Sequence, residues 1–283
     1  MAGQLRQRGV EVELVLISTQ GDVTTGPLGQ IGGQGLFTKE IQRALLDEQI
    51  DLAVHSLKDL PTENVAGLSL AAVPERESIA DVLVCNAAKS VAELPPNARV
   101  GTGSLRRRAQ LLHQRPDLQM LEIRGNVDTR LRKLDSGEYD ALVLAQAGLH
   151  RLALDARIAG IIPLAVMLPA VGQGALGIET RADDVSARQL LAPLNHEPTQ
   201  QSVVAERSLL AALRGGCLAP VGALGRLENG SLLLDGVVLS GDGRQRIAAS
   251  ASGPPSSAAK LGQQVAELLI AQGAEGLIAA ARA

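Results

Sequence analysis

Apolar residues in the first part of the chain follow two periods, one typical of strands and one of helices. Val10–Ile17 alternates between apolar and polar residues and therefore predicts a strand. Thr38–Glu48 places its apolar residues on one helical face, and Ile50–His55 is a short apolar segment typical of a strand. The glycine-rich segment Gly21–Gly35 lies between the first strand and the helix and predicts a mobile loop.

The centre of the chain repeats a rhythm of strand and helix. Strands are predicted at Arg99–Gly101, Met120–Ile123 and Ala141–Ala145, and helices at Ser104–Gln114, Val127–Leu134 and Gly148–Leu152. Strands that alternate with helices favour a parallel sheet, whose ligands bind beyond the carboxyl ends of the strands. The segments expected at such ends are His55–Asp59, Thr102–Arg107, Arg124–Asn126 and Gln146–Arg151.

The last third changes character. Pro169–Thr180 reads as a linker followed by a strand, and Gln200–Leu213 as a helix. Antiparallel strands joined by glycine-containing turns are then predicted at Ala223–Leu227, Ser231–Leu239 and Gln245–Ala251, with a closing helix at Ala258–Gln272. This pattern predicts a separate small α+β domain from about residue 197.

Composition excludes several classes of protein. A hydrophobic content of 46% with 20% charged residues is typical of a globular chain, and 1% aromatic residues leaves few platforms on which single-stranded nucleic acid could stack. The net charge of −3 predicts no general attraction to nucleic acid or anionic membranes. Two cysteines without paired spacing, no apolar run long enough to span a membrane and no signal peptide favour a cytoplasmic location.

Arginine is concentrated in the centre of the chain. The protein has 22 arginines and five lysines, and eight of the arginines lie between Arg99 and Arg132, where only Asp117, Glu122 and Asp128 are acidic. The plainer interpretation of the overall preference for arginine is a GC-rich genome. The local excess indicates a small polyanionic ligand, because guanidinium groups bind carboxylates and phosphates through two parallel hydrogen bonds.

Lys58 and Asp59 follow the strand Ile50–His55 directly. An acid beside a cation at the end of a buried strand is accessible to a ligand and can have a shifted pKa. The plainer interpretation is that Asp59 caps a turn and pairs with Lys58. His55 is more typical of a satisfied, half-buried histidine than of a catalytic base.

Gly101–Arg107 places small hydrogen-bonding residues at a helix N-terminus and then two arginines, which predicts an anion site. The alternative is a plain Ser104 N-cap with a solvated arginine pair. Arg124-Gly125-Asn126 repeats the arrangement after the next strand, and Arg130 lies about one helical turn further on. Arg151 ends the following helix and could equally be a surface cap.

Gly215-Gly216-Cys217 lies in a loop between a helix and Pro220. Two glycines allow the backbone to approach a ligand closely, so Cys217 is a better candidate for reactivity than a typical lone cysteine, provided that its surroundings lower its pKa. Cys85 follows an apolar run and is predicted to belong to the core.

Five motifs in this order resemble those of the hydroxymethylbilane synthase family, also called porphobilinogen deaminases. They are His-Ser-Leu-Lys-Asp-Leu-Pro at 55–61, Gly-Thr-Gly-Ser-Leu-Arg-Arg at 101–107, Ile-Arg-Gly-Asn-Val-Asp-Thr-Arg at 123–130, Val-Gly-Gln-Gly-Ala-Leu-Gly at 171–177 and Gly-Gly-Cys at 215–217. The resemblance extends from about Val12 to the C-terminus. It implies two doubly wound α/β domains like those of periplasmic binding proteins, at 1–74 with 174–193 and at 75–173, and a C-terminal α+β domain at 197–283.

The resemblance also implies a chemistry. Cys217 would hold a dipyrromethane cofactor through a thioether, and porphobilinogen units would be joined to it head to tail with loss of ammonia. Asp59 would act at the pyrrole nitrogens, assisted by Lys58. The residues that the resemblance assigns to cofactor and substrate binding are Ser56, Thr102, Gly103, Ser104, Arg106, Arg107, Arg124, Gly125, Asn126, Arg130 and Arg151. A monomer that needs no nucleic acid, membrane or metal is expected.

The chain departs from the family in three places. Family members open with a strand and an Arg-x-Ser-x-Leu-Ala helix, of which Met1–Gly9 matches only the end. This points to a natural start upstream of Met1 or to a shortened chain. Gln30 and Gln34 stand where many members have lysine, and Gly103 stands where serine is common.

Two other readings stay open at this point. A non-catalytic anion-binding protein with the same cleft would explain the arginines without a need for Cys217. An inactive, shortened paralogue would explain the N-terminal departure. A dipyrrole bound covalently to Cys217 separates the enzyme from both, although an inactive protein that carries the cofactor would also show it.

Overall fold

The computed structural model describes residues 1–18, 38–216 and 219–281. The predicted loop Gly21–Gly35, with Gln30 and Gln34, lies outside the described residues, and so does Cys217. The helices are α1 (Ala2–Arg6), α2 (Lys39–Leu46), α3 (Leu105–Gln114), α4 (Val127–Asp135), α5 (Gln146–Arg151), α6 (Val185–Leu191), α7 (Glu197–Ala212), α8 (Ala258–Ala271) and α9 (Ala274–Ala280). The strands are β1 (Leu52–Ser56), β2 (Leu68–Ala72), β3 (Asp81–Val84), β4 (Arg99–Gly101), β5 (Gln119–Leu121), β6 (Ala141–Ala145), β7 (Gly160–Ile161), β8 (Leu176–Arg181), β9 (Val221–Glu228), β10 (Ser231–Leu239) and β11 (Arg246–Gly253).

The first sheet has the order β1-β8-β2, and both pairings are antiparallel. Leu52 of β1 pairs with Thr180, and Leu68 of β2 pairs with Arg181. The prediction of parallel pairing is therefore wrong for this sheet. The reason is that β8 returns from a distant part of the chain and inserts between β1 and β2, a partner that local periodicity cannot reveal.

The strand predicted at Val10–Ile17 is also wrong, because residues 10–18 have no regular secondary structure. Leu14 and Leu16 are 69% and 96% exposed, and none of the described strands pairs with this segment. Alternation supplies an apolar face, but a strand also needs a neighbour that satisfies its backbone groups.

The second sheet has the order β5-β4-β6-β3-β7. Its strands β4, β5 and β6 run parallel, as the strand-helix rhythm predicts, whereas β3 pairs antiparallel with β6 and β7. Two clusters of buried aliphatic side chains make up its core, one around Val100 and Val143 and one around Leu142 and Leu149. The loops that carry the predicted anion sites leave the carboxyl ends of β4 and β5.

The third sheet, β11-β10-β9, is antiparallel and packs against α7 and α8. Asn229 and Gly230 form the tight turn between β9 and β10, both with positive φ, as the sequence predicts. The class predicted from the sequence, α/β units followed by a small α+β unit, is confirmed.

Two chain segments cross between the first and second sheets. Residues 73–80 lead from β2 to β3, and residues 162–175 lead from β7 back to β8. Glu77 donates its backbone N–H to Gly174 O over 2.9 Å. Gly174 has a φ of +81°, and a Cβ there would lie 2.5 Å from Glu77 O, so only glycine allows this close crossing.

Glu206 of α7 joins both crossing segments to the third sheet. Its carboxylate is fully buried and accepts hydrogen bonds from Arg76 Nη1 at 2.7 Å and Nη2 at 3.1 Å. It also accepts from the backbone N–H groups of Gly172 at 2.7 Å and Gly225 at 2.9 Å. Arg76 and Gly172 lie on different crossing segments, so one side chain fixes the point at which all three sheets meet.

Replacing Glu206 by glutamine is expected to lower the free energy of unfolding by about 3 kcal/mol, because it leaves the largely buried Arg76 guanidinium without a counter-charge. Glu228→Gln is the matched control, since Glu228 pairs with Arg226 at the surface and such pairs contribute about 0–1 kcal/mol. Urea unfolding of both variants measures the difference. Equal midpoints for the two would contradict a structural role for this junction.

Candidate active site

The predicted acid lies on a single turn of 3₁₀ helix, Leu57–Asp59, which follows β1 directly. Leu57 is buried and donates its N–H to Ala175 O over 2.9 Å, so the turn is fastened to the returning crossing segment. Gly172, with a φ of +72°, packs closely on it, and a Cβ there would lie 3.2 Å from the carbonyl carbon of Leu57. Asp59 is exposed at the far end of this fixed turn, where a ligand can reach it.

Lys58 is close enough to charged residues of the second sheet for them to act on its pKa. Burial lowers the pKa of its ammonium group, and the charges of Arg107 and Arg106 lower it further, against Asp59 and Asp81, which raise it. A carboxylate bound beside Lys58 would favour the charged form and raise this pKa. Lys58 would then have one pKa in the free protein and a higher pKa in the complex. At a pH between these two values, binding of an anionic ligand would be accompanied by proton uptake.

The segment Thr102–Arg107 begins α3 as predicted. Ser104 is the N-cap, and its Oγ accepts the N–H of Arg107 at 3.4 Å. Thr102 is buried, and its hydroxyl oxygen accepts the N–H of Ser104 at 3.2 Å. The alternative of a solvated arginine pair is wrong, since Arg106 is 3% and Arg107 is 7% exposed.

Asp81, the first residue of β3, binds both of these arginines. Its carboxylate lies 2.7 Å from Arg106 Nη1 and 2.8 Å from Arg107 Nη2, and it accepts from Gln173 Nε2 at 3.1 Å. Burial alone would raise the pKa of Asp81, but the charges of Arg106 and Arg107 hold it well below its usual range. Asp81 therefore stays ionised and fixes the orientation of two guanidinium groups that would otherwise be costly to bury.

The loop after β5 and the helix α4 that follows it add one cation each, Arg124 and Arg130. Asn126 caps α4 by accepting the N–H of Thr129 at 2.9 Å, and Arg130 Nε donates to Gly125 O over 2.8 Å. Burial lowers the pKa of Arg130, and so do the positive charges of Arg107 and Arg124. Arg124 also pairs with Glu122, a partly exposed carboxylate.

Four other candidate residues have different surroundings. Ser56 is half-buried at the end of β1, and Gly103 lies against the backbone of Ile123, where a Cβ would come within 3.1 Å of Ile123 O. Arg151 is exposed at the last position of α5 and stays a prediction. His55 is buried rather than half-buried, and its Nε2 lies 2.9 Å from Glu179 Oε2. This Nε2 makes no hydrogen bond within the described residues, so the prediction of a satisfied histidine is not confirmed.

The third sheet reaches this region through the end of α7. Gly215 and Gly216 follow α7, and Gly216 lines a small recess together with Lys58, Leu60 and Arg207. Cys217 is the next residue in the sequence. Cys85, in contrast, is partly buried against the core of the second sheet.

The residues at this junction fit a ligand with several carboxylates. The charges of Arg107 and Arg106 lower the pKa of Lys58, and those of Arg107 and Arg124 lower the pKa of Arg130, so these five cations lie near one another. The buried Nε of Arg106 has no hydrogen-bond acceptor within the part of the chain that the structure describes. Positive charge that the acids of the protein do not balance can be neutralised by a bound polyanion.

Residues 1–18, 38–216 and 219–281, which the structure describes, lack the features of a metal site and of a membrane-spanning helix. These residues contain no group of three or more His, Cys, Asp or Glu side chains that could hold a metal ion. None of their helices is long and apolar enough to cross a bilayer.

Sequence reasoning missed four residues at the junction: Asp81, Gln173, Glu206 and Arg207. Two of them left a signal. Asp81 opens an apolar strand, and Glu206 lies on the buried face of α7 beside Ala205 and Leu209. A carboxylate on a face that is otherwise apolar requires a buried cation, so each position predicts a partner without identifying it.

Comparisons with known families cover nearly the whole chain. Residues 1–189 match the family described as "Porphobilinogen deaminase, dipyromethane cofactor binding domain". Residues 200–271 match the one described as "Porphobilinogen deaminase, C-terminal domain".

Individual relatives agree with the family matches. The chain is 52% identical to the porphobilinogen deaminase of Desulforudis audaxviator, over 99% of this chain and 91% of the relative. It is 47% identical to the porphobilinogen deaminase of Syntrophobacter fumaroxidans, over 95% of this chain and 88% of the relative.

Solved structures with a similar fold are more distant. A periplasmic substrate-binding protein of an ABC transporter from Coxiella burnetii is 13% identical with a TM-score of 0.43, over 72% of this chain and 87% of its own. The periplasmic VFT2 domain of Bordetella pertussis BvgS is 16% identical with a TM-score of 0.34, over 54% of this chain and 64% of its own. Similarities at this level carry no argument about function.

Proposed function

The chain belongs to the porphobilinogen deaminase family, and we propose that the junction of its three sheets is the active site. The protein is a transferase, hydroxymethylbilane synthase, which joins four porphobilinogen units head to tail with loss of ammonia and yields the linear tetrapyrrole hydroxymethylbilane. Its dipyrromethane cofactor supplies the primer to which these units are added. The other readings, a non-catalytic anion-binding protein and an inactive paralogue, are not favoured by these matches.

The observation that carries this proposal is the convergence of cations from two sheets beside an exposed acid. Each pyrrole of the substrate and cofactor bears an acetate and a propionate, so the growing chain is a polyanion. In this proposal Lys58, Arg106 and Arg107 bind carboxylates at the crossing of the first two sheets. Arg124 before α4, Arg130 on α4 and Arg151 on α5 bind further carboxylates. The N-termini of α3 and α4 add the positive ends of their helix dipoles at Thr102–Ser104 and Gly125–Asn126.

Asp59 is proposed as the catalytic acid and base. It is exposed while the turn behind it is fixed by Leu57 and Gly172, so its carboxylate has a defined position and access to a ligand. There it would stabilise positive charge at the pyrrole nitrogens and accept or return protons at the reacting carbon. Lys58 and Ser56, on either side of Leu57, would orient the substrate.

The direct test is turnover by the purified protein. Incubation with porphobilinogen should release one ammonia for each unit consumed and accumulate a linear tetrapyrrole that cyclises to a porphyrinogen. Porphobilinogen that binds without release of ammonia would instead support the anion-binding alternative.

Replacing Arg130 by methionine is expected to raise KM for porphobilinogen by about 10-fold, because a charge-assisted hydrogen bond to a carboxylate contributes about 1.5–3 kcal/mol. Arg132→Met is the matched control on the same helix, since Arg132 is exposed and donates to Thr129 Oγ1. Steady-state kinetics of both variants measure the effect. The same KM in both would remove Arg130 from substrate binding.

A three-domain organisation is also proposed, at 1–74 with 174–193, at 75–173 and at 197–283. In its support, β1 and β2 share a sheet with the distant β8, as a discontinuous first domain would have it. A cytoplasmic monomer that acts without nucleic acid or membrane is proposed as well. Light scattering after size-exclusion chromatography tests the monomer.

A further inference from the structure

Arg207 of α7 holds the segment that follows Asp59. Its Nη1 donates to Leu60 O over 2.9 Å, and its Nη2 donates to Pro61 O over 2.7 Å. Leu60 is 5% exposed, so a partner for its carbonyl is a structural requirement. Since Leu60 and Pro61 come directly after Asp59, the guanidinium fixes the outgoing end of the acid-bearing turn.

Glu206 and Arg207 are adjacent on α7, and their hydrogen bonds reach two segments that lie on either side of the turn Leu57–Asp59. The side chains of consecutive helical residues differ in direction by about 100° around the helix axis, so one helix can bind two different segments. Glu206 accepts the N–H of Gly172, which packs on the backbone of Leu57 and Lys58, and Arg207 binds the carbonyls of Leu60 and Pro61. The turn is thereby held on both sides by a single helix.

The same helix leads to the cysteine loop. α7 ends at Ala212, and Arg207 and Gly216 line one recess with Lys58. The position of the turn relative to the chain entering Cys217 therefore depends on contacts made by α7 within this recess.

We propose that Arg207 is a positioning residue, which fixes the turn carrying Asp59 relative to α7, the helix that is followed in the sequence by Gly215, Gly216 and Cys217. This inference rests on the proposed function, because it assigns the acid to Asp59 and the cofactor to Cys217. Two carbonyls at different positions require the planar fork of arginine, which lysine cannot reproduce. Both attachment of the primer and turnover should therefore depend on the guanidinium and not only on its charge.

The test compares Arg207→Lys with the matched variant Arg115→Lys. Arg115 makes the same kind of contact away from the site, since its Nη2 donates to Leu94 O at 3.0 Å and Pro95 O at 3.5 Å. Full-length proteins are compared by melting temperature, by kcat and KM for porphobilinogen, and by the fraction of chains that carry a covalent dipyrrole. Hydrogen exchange of a peptide spanning residues 57–64 reports the turn itself, whether or not the enzyme is active.

We expect Arg207→Lys to lower kcat by about 10-fold or more, because small misplacements of reacting groups have large effects on rate. It should also lower the fraction with covalent dipyrrole and speed hydrogen exchange in the turn, whereas Arg115→Lys should change only the melting temperature. Arg207→Gln, which lacks the charge as well, should show the same three changes.

Values of kcat, dipyrrole fraction and turn exchange that match those of Arg115→Lys would overturn the inference and leave the function standing, provided that wild-type protein consumes porphobilinogen. Wild-type protein that releases no ammonia from porphobilinogen would overturn the proposed function and this inference with it.

Discussion

Replacing Asp59 by asparagine is expected to lower kcat for porphobilinogen by about 10²- to 10⁴-fold, the range typical of a lost general acid or base. Asparagine keeps the size and the hydrogen-bonding oxygen of the side chain, but it neither takes up a proton nor offsets a positive charge. Because Asp59 is exposed and the turn is held by Leu57 and Arg207, the melting temperature should hardly change.

Asp128→Asn provides the control for Asp59→Asn. Asp128 is also an exposed carboxylate near the cations, in the first turn of α4. If charge near the arginines were all that mattered, the two variants would lose kcat equally. Turnover of Asp59→Asn close to that of wild type would remove Asp59 from the mechanism.

Replacing Cys217 by serine is expected to abolish covalent attachment of the dipyrrole. The hydroxyl of serine is a far weaker nucleophile than a thiolate at neutral pH, so a thioether cannot be replaced by an equivalent bond. The mass of the denatured protein measures the attachment directly. Turnover should fall with it, because the primer would be lost with each product.

Cys85→Ser is the matched control for Cys217→Ser. Cys85 lies at the end of β3, partly buried, with its Sγ 3.3 Å from Asp140 O, and it has no place in the proposed chemistry. It should keep the full mass of the modified protein. A dipyrrole found covalently bound to Cys217→Ser would show that another residue carries the cofactor.

Local pattern predicts the elements of this fold far better than it predicts their neighbours. The helix at Thr38–Glu48 and the strand at Ala141–Ala145 follow from periodicity, which depends only on adjacent residues. The antiparallel insertion of β8 between β1 and β2 depends on a chain that leaves and returns, and no local period encodes it. Val10–Ile17 shows the converse, a strand-like pattern without a partner among the described strands.

The sequence likewise predicts some residues of the candidate site but not the partners that hold them. The motifs identify Lys58, Asp59 and the arginines, because most of them follow a predicted strand end within a few residues. They do not reveal that Asp81 binds Arg106 and Arg107, or that Glu206 joins two crossing segments, since these partners lie far apart in sequence. Buried ion pairs of this kind are fixed by tertiary packing, and the sequence shows only that each acid needs a cation.

The measurement that tests the central claim most directly is the intact mass of the denatured wild-type protein, followed by peptide mapping. The account predicts a mass two pyrrole units above that of the polypeptide, with the addition located on the peptide that contains Cys217. A protein that consumes porphobilinogen with an unmodified mass, or with the addition on Cys85, would contradict the account.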